Sequence, residues 1–397
     1  MYYQIDAIDS WFFRDAAPFD AGGVNNYAES IFPPFPYVYA GALRNCAVPI
    51  ENPDCNKNTF SRRLRIGWNG VIADNHIMFP IPLDLYIEEN DGRFIAHELG
   101  LSSAAGSSFP LTYFLKSPQK NKKPPHVNGG AYINEKVMRD YLHAETSDFS
   151  VCPLGDYIIK ENRIGNGIDD NKRMAATGKL YQQTLIIPSN EEHRCSLALE
   201  ASGIKSPEKS IIHIGGDGKL GIVTRIEKEL PIPEPPNIDS DCFKLYLATP
   251  AIFEKGWLPG WINSETMTGT FTHDKHSVRV KLFSAAVGRP VAVGGFTCKK
   301  NEKSSEKLHD GKDYKLKPTP KEMRYAVPAG SVYYFKLLDG NMKDVIRLFH
   351  KKCISEYRES LGFEHWKISR LRYCSRGFGY CLVGAISKHK RGEIHDV

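Results

Sequence analysis

Most of the short motifs that announce an enzyme are missing from this chain of 397 residues. There is no Cys-x-x-Cys pair, and the nine cysteines, an odd number, are scattered from Cys46 to Cys381. A disulfide framework and a structural zinc site both need closely organised ligands, so neither is expected. The nucleophile elbow and the P-loop are absent as well, which removes the best-marked hydrolases and nucleotide triphosphatases. Apolar runs are too short to span a bilayer and no signal peptide is recognisable, so a soluble cytoplasmic protein without membrane contact is expected. Histidines occur, 13 in all, but the dipeptides His273-Asp274, His309-Asp310 and His395-Asp396 and the His-x-x-His from His273 to His276 have no second cluster to complete a metal site. Neither a metal nor another cofactor is expected. One histidine and one tyrosine would still suffice for metal-independent RNA cleavage.

What is present points to folded cores with one basic region. Apolar residues make up 41% of the chain, and the length suits two domains of ordinary size. The formal charge of +6 is unevenly spread: residues 341–397 hold 12 Lys or Arg against 6 Asp or Glu, and the remainder balances. A localised basic excess is what a nucleic-acid contact requires, and it is equally what a solvated lysine-rich surface looks like.

The chain is organised around residues 12–45. Trp11, Phe12 and Phe13 run into Arg14 and Asp15, after which Pro18, Asp20, Gly22 and Gly23 break regular structure. The prolines of Phe32-Pro33-Pro34-Phe35-Pro36 exclude a central strand and predict an extended, shaped surface segment. From Tyr37, small and apolar residues suit a closely packed helix with Arg44 and Asn45 on its polar side. Upstream, Tyr3, Ile5, Ala7 and Trp11 share one face of a first strand.

Further strands are expected at Ile77-Met78-Phe79 and Leu85-Tyr86-Ile87, a long irregular connection over 101–130, and a peripheral helix from Asn134 to Glu145. Residues 161–185 interleave Arg163, Lys172, Arg173 and Lys179 with Gly165, Gly167 and Gly178, which predicts a long β-hairpin arm. Gly216, Gly218 and Gly221 form a Gly-x-Gly-x-x-Gly, yet Ile222 to Ile226 reads as a returning strand, so a hairpin is expected and not a dinucleotide site. The Pro-rich stretch 226–240 is the best domain boundary, and a cut near Pro236 gives units 1–236 and 237–397.

In the second half, strands are expected over Phe243–Ala248, Val278–Val287, Val291–Gly295 and Val327–Phe335, split in the middle by Gly288, Arg289 and Pro290. A charged loop is expected over 299–321. Trp257 lies among Gly256, Pro259 and Gly260, where an indole either stacks on a base or plugs a small core. Asn341 to Leu361 reads as a helix with Val345, Phe349, Cys353, Tyr357 and Leu361 as its apolar stripe. Arg376, Gly377 and Gly379 then form a glycine-bearing basic loop. Short strands, few helices and no regular βαβ alternation make the fold class α+β.

Phe13-Arg14-Asp15, Pro18 to Gly22, Phe32-Pro33-Pro34, Pro36 and Gly41 to Arg44 resemble, in order, the opening of the third RAMP protein family of the CRISPR type III-B (Cmr) effector complexes. Later segments match too: Arg163 to Gly165, Gly178 to Tyr181, the TPAIF, GWLPGW and VPAGSVYYF stretches, and the loop SRGFG. Asn166 stands where that family carries an aliphatic residue. The resemblance implies two ferredoxin-like (RRM-like) RAMP domains facing each other across a cleft, with insertions and a glycine-rich C-terminal loop. It implies a non-catalytic, RNA-binding subunit of the Cmr complex. Its partners would be the repeat-derived 5′ handle of the crRNA, the large cyclase-like subunit, a backbone RAMP subunit and, indirectly, target RNA, all in antiviral defence. The RNA-binding residues would be Arg14, Arg44, Arg163, Lys172, Arg173, Lys179, Trp257, Arg289, Arg376, Gly377 and Gly379, with Asp15, Gly22 and Pro33 shaping the cleft. A metal-independent crRNA-processing endoribonuclease of related fold is the alternative, and a protein scaffold with basic faces is a third.

Overall fold

The computed structural model describes residues 1–17, 19, 26–44, 46–49, 63–104, 106–118, 123–169, 174–188, 192–299, 317–320, 322–356, 373–392 and 394. Gly22, Lys172, Arg173, His309, His395 and most of the expected charged loop lie outside them.

Two antiparallel sheets carry the chain. Strand β1 (Tyr2–Ala7) buries Tyr3 and Ile5, as its alternation predicts, and pairs on one side with Leu220–Ile226 and on the other with Cys195–Ser202. Next to Cys195–Ser202 comes β2 (Arg65–Ala73). The sheet has ten strands, continuing through His76–Pro80, Ala131–Asn134, Asp148–Pro153 and Arg93–Glu98 to the edge strand Leu85–Asn90. The hairpin read from the glycines is present, with Lys209–His213 returning as Leu220–Ile226 around Asp217 and Gly218, both at positive φ. Helix α1 (Pro36–Leu43) has a proline at its start and buries Tyr39, Ala40, Ala42 and Leu43 over this sheet. The preceding proline segment is less exposed than expected, because Pro34, Phe35 and Pro36 are buried.

The expected arm is a long hairpin of β3 (Ile158–Asp169) and β4 (Met174–Pro188). Residues 101–130 are not wholly irregular, since Gly100–Ser103 pairs with Tyr113–Lys116.

In the second half, six strands run in the order Thr268–His273, His276–Ala286, β6 (Val332–Asp339), β5 (Cys242–Leu247), β7 (Tyr380–Ala385) and Lys352–Cys353. Of the expected strand from Val327, Val327 itself bridges Ala251, and a turn at Ala329 and Gly330, the latter at φ +89°, separates it from β6. Both sheets contain the same arrangement. The run Leu220–Ile226, β1, Cys195–Ser202, β2 in the first matches the run β7, β5, β6, His276–Ala286 in the second: in each, the half's first strand lies between two later ones and all of these neighbours are antiparallel.

Two helices differ from expectation. Helix α2 (Glu135–His143), capped by the Asn134 side chain accepting from Lys136 N and Val137 N, is not peripheral. Its Tyr141 and Leu142 are fully buried in an apolar layer that also holds Trp68, Tyr246, Phe283 and Tyr334 and so joins the two halves. Helix α3 (Met342–Phe349) stops before Cys353, and Tyr357 and Leu361 of the expected stripe lie outside the described residues. Lys351 adopts φ +59° and turns the chain so that Cys353 pairs with Tyr380 at the sheet edge. The Pro-rich connector packs against both halves. Leu230 and Ile232 join the shared layer, and Pro233 O is held by His350 Nε2 at 3.1 Å.

Candidate nucleic-acid interface

Three elements that are far apart in sequence meet beside the junction of the halves. Arg44 follows the last turn of α1, where a cation complements the helix dipole. Arg65 is exposed at the start of β2, whose alternation buries Ile66 and Trp68 beneath it. Arg376 forms a parallel bridge with Ile66. Burial, followed by the repulsion of Arg44 and Arg65, pushes the Arg376 guanidinium down to about 10. It stays charged at neutral pH, and a bound polyanion would relieve both penalties.

The loop carrying Arg376 is fixed by one carbonyl. Gly377 O accepts from Asn69 Nδ2 of the first half at 3.2 Å and from Thr249 Oγ1 of the second at 2.7 Å. Gly377 (φ +88°) and Gly379 (φ +72°) are buried against Asn69 and Ile66, and against Ser355 and Ala251, respectively. The close approach that these glycines permit within the chain is to the protein's own backbone and side chains.

Asn69 and Thr249 also line a cavity of about 570 Å³ between the halves, with Tyr39, Trp68, Tyr132 and Phe32 among its walls. Asp15 and Pro33 line it as well. Arg44 lies eight residues along α1 from the cavity-lining Pro36, about 12 Å at the helical rise, and Arg65 four residues along β2 from Asn69, about 13 Å. A cationic patch and an aromatic recess thus share one floor, suited to phosphates on the first and an unstacked base in the second.

The other expected residues are dispersed. Arg14 and Asp15 hold the same residue: the guanidinium donates to Ala17 O at 2.8 Å and the carboxylate accepts from Ala17 N at 3.2 Å. Arg163 makes a two-pronged bond to Glu161, at 2.9 and 3.1 Å, so its charge is locally balanced. Lys179 is exposed on the same arm. The arm is more apolar at its surface than the basic reading implied, with Ile164 at 73% and Ile168 at 68% exposure. Trp257 is half-buried against the core of the second half and stacks on exposed Phe109, ring centres 5.9 Å apart. Arg289 is exposed two residues before the cavity-lining Val291. His273 and Asp274 pair at 3.2 Å in full view of solvent. Among the described residues, no group of three His, Cys, Asp or Glu could hold a metal ion.

Arg65, Asn69 and Thr249 were not legible as site residues. The run Arg62-Arg63-Leu64-Arg65 is the one signal that would have drawn attention to Arg65.

The family model described as CRISPR-associated protein (Cas_Cmr3) matches residues 3–384. A match of this extent makes the chain a CRISPR-associated protein of the type III-B class and a subunit of its effector complex. The chain belongs to the Cas_Cmr3 family. Among solved structures it is similar to a chain in the type III-B Cmr-beta assembly bound to cognate target RNA, at 12% identity and a TM-score of 0.45. It is likewise similar to a chain in that assembly bound to target RNA and AMPPNP in state 1, at 12% identity and a TM-score of 0.44. Each comparison covers 84% of this chain and 86% of the other. No curated protein sequence matches it. Among the described residues, no helix is long and apolar enough to cross a membrane.

Proposed function

We propose that the chain is the subunit that holds the 5′ handle of the crRNA in a type III-B effector complex, without cutting it. It docks the large cyclase-like subunit next to a backbone RAMP subunit. Each half is a ferredoxin-like RAMP domain, a reading supported by the strand order that the two sheets share. The observation that carries the RNA reading is the convergence of Arg44, Arg65 and Arg376 on one half-buried patch beside an aromatic recess. Single-stranded RNA is held in this way, by phosphate neutralisation with base stacking. The arm of β3 and β4 supplies a second contact through Lys179 and its exposed apolar side chains.

Incubation of the purified protein with repeat-derived RNA, followed by native and denaturing gels, tests this. The expected result is a retained complex whose RNA is intact. Specific cleavage that a single histidine substitution abolishes would establish the endoribonuclease alternative, and absence of any retained complex would favour a protein scaffold.

A further inference from the structure

A buried charge cluster lies behind the cleft wall, away from the arginine patch. Asp84 is fully buried and accepts from Tyr141 Oη at 2.8 Å and from Tyr334 Oη. Lys390, on the short helix α4 (Lys388–Gly392), reaches in from the C-terminal end. Its Nζ lies 3.5 Å from Asp84 and 3.9 Å from Glu98, and it donates to Tyr334 Oη at 2.8 Å. Lys244 Nζ is 3.9 Å from Glu98 and 3.4 Å above the centre of the Tyr141 ring. Two carboxylates from the first half thus balance two ammonium groups from the second. Burial alone would push the Asp84 carboxyl up, but Lys390, Lys244 and the two tyrosine hydroxyls hold it below its ordinary value.

The cluster sits where the halves are stitched together. Leu83 N donates to Gly330 O at 2.8 Å, Gly330 N to Leu247 O at 2.8 Å and Leu247 N to Ser331 O at 2.9 Å. Pro80, Pro328 and Ala329, flanking these bonds, line the cavity. Next to Lys390, Lys388 and Arg391 face solvent. The C-terminal helix therefore contributes one inward cation to a buried site and leaves its other basic groups outside.

We propose that Lys390 is the key of a lock between the two halves, and that withdrawal of the C-terminal helix loosens the wall formed by residues 80–84 and 328–331 and opens the cleft. The physical basis is that an ion pair broken at one partner leaves an uncompensated charge in the interior, whereas removal of both charges restores an apolar junction. The lock is independent of whether the cleft takes RNA.

Hydrogen exchange followed by mass spectrometry on the full chain tests it. Lys390→Met is expected to raise exchange at least tenfold at the amides of Leu83, Gly330 and Leu247, while Tyr2–Ala7 and Cys195–Ser202 exchange as in wild type. Asp84→Asn combined with Lys390→Met is expected to recover most of that protection, and Lys388→Met to leave it unchanged. If Lys390→Met does not fold, Tyr334→Phe replaces it, with a several-fold rise at the same amides. Unchanged exchange at these amides, or uniform acceleration over the whole chain, would overturn the lock.

Discussion

Gly377→Val is expected to destabilise the protein by about 3 kcal/mol or more, a loss composed of backbone strain and overpacking. Gly377 has φ +88°, where a β-branched residue is strongly disfavoured. A Cβ there would stand 2.8 Å from Ile66 Cγ2 and 3.1 Å from Gly67 O, and nearer still to the Asn69 amide. All three neighbours belong to β2, two of them buried side chains and the third a backbone carbonyl, so relief requires the loop to lift. Lifting it breaks the bonds from Asn69 and Thr249 to Gly377 O, one from each half. RNA affinity should fall as a consequence, because Arg376 moves with the loop. Urea unfolding read by tryptophan fluorescence checks this; an unchanged midpoint with reduced RNA affinity would mean that Gly377 approaches the ligand after all.

The second large effect is an acid transition set by His350. The ring is buried, with Nδ1 accepting from Val383 N at 3.1 Å and Nε2 directed at Pro233 O, so it is held neutral between the last sheet strand and the connector. Burial, with help from Lys351, pushes its pKa down to about 4 from 6.5. The sign follows directly. Below pH 6.5 the unfolded chain binds a proton that the folded chain refuses, so stability is full above 6.5 and falls as the pH drops towards 4. At ~1.4 kcal/mol per pH unit, about 2 kcal/mol is lost by pH 5. His350→Gln, which keeps one acceptor and one donor, should flatten this dependence. Unfolding midpoints of both proteins between pH 7.5 and 5 are the measurement, and parallel curves would contradict it.

Local patterns carried the elements well. Alternation located β1, and Gly-Asp-Gly-Lys between apolar runs located the hairpin at 217, because both signals are confined to a few residues. Helix α3 was overextended because Val345, Phe349 and Cys353 keep a four-residue spacing, although Cys353 reaches the edge of the core, partly buried, through a strand bridge. Spacing cannot distinguish these two routes to the core. Glycine was ambiguous in another way: Gly377 and Gly379 mark close approach, but sequence does not say what approaches.

Convergence was the least legible feature. Arg44, Arg65 and Arg376 are brought together by the bridge between Ile66 and Arg376, a contact across more than three hundred residues. No period or motif encodes it. Lys390 read as part of a solvated basic tail, and its burial depends on Asp84 and Glu98 being presented by the other half. Charge counts located the basic end of the chain without separating the lysine that faces inward from those that face out.

The most direct test of the account is a salt titration of handle RNA binding by the assembled complex, comparing wild type with Arg44→Ala/Arg65→Ala/Arg376→Ala. Each phosphate contact on a single strand contributes roughly 0.7 to the slope of log affinity against log salt, so loss of three should flatten it by about 2. The account predicts that flattening, with weaker binding at low salt. An unchanged slope in the triple variant would place the RNA on another surface and contradict it.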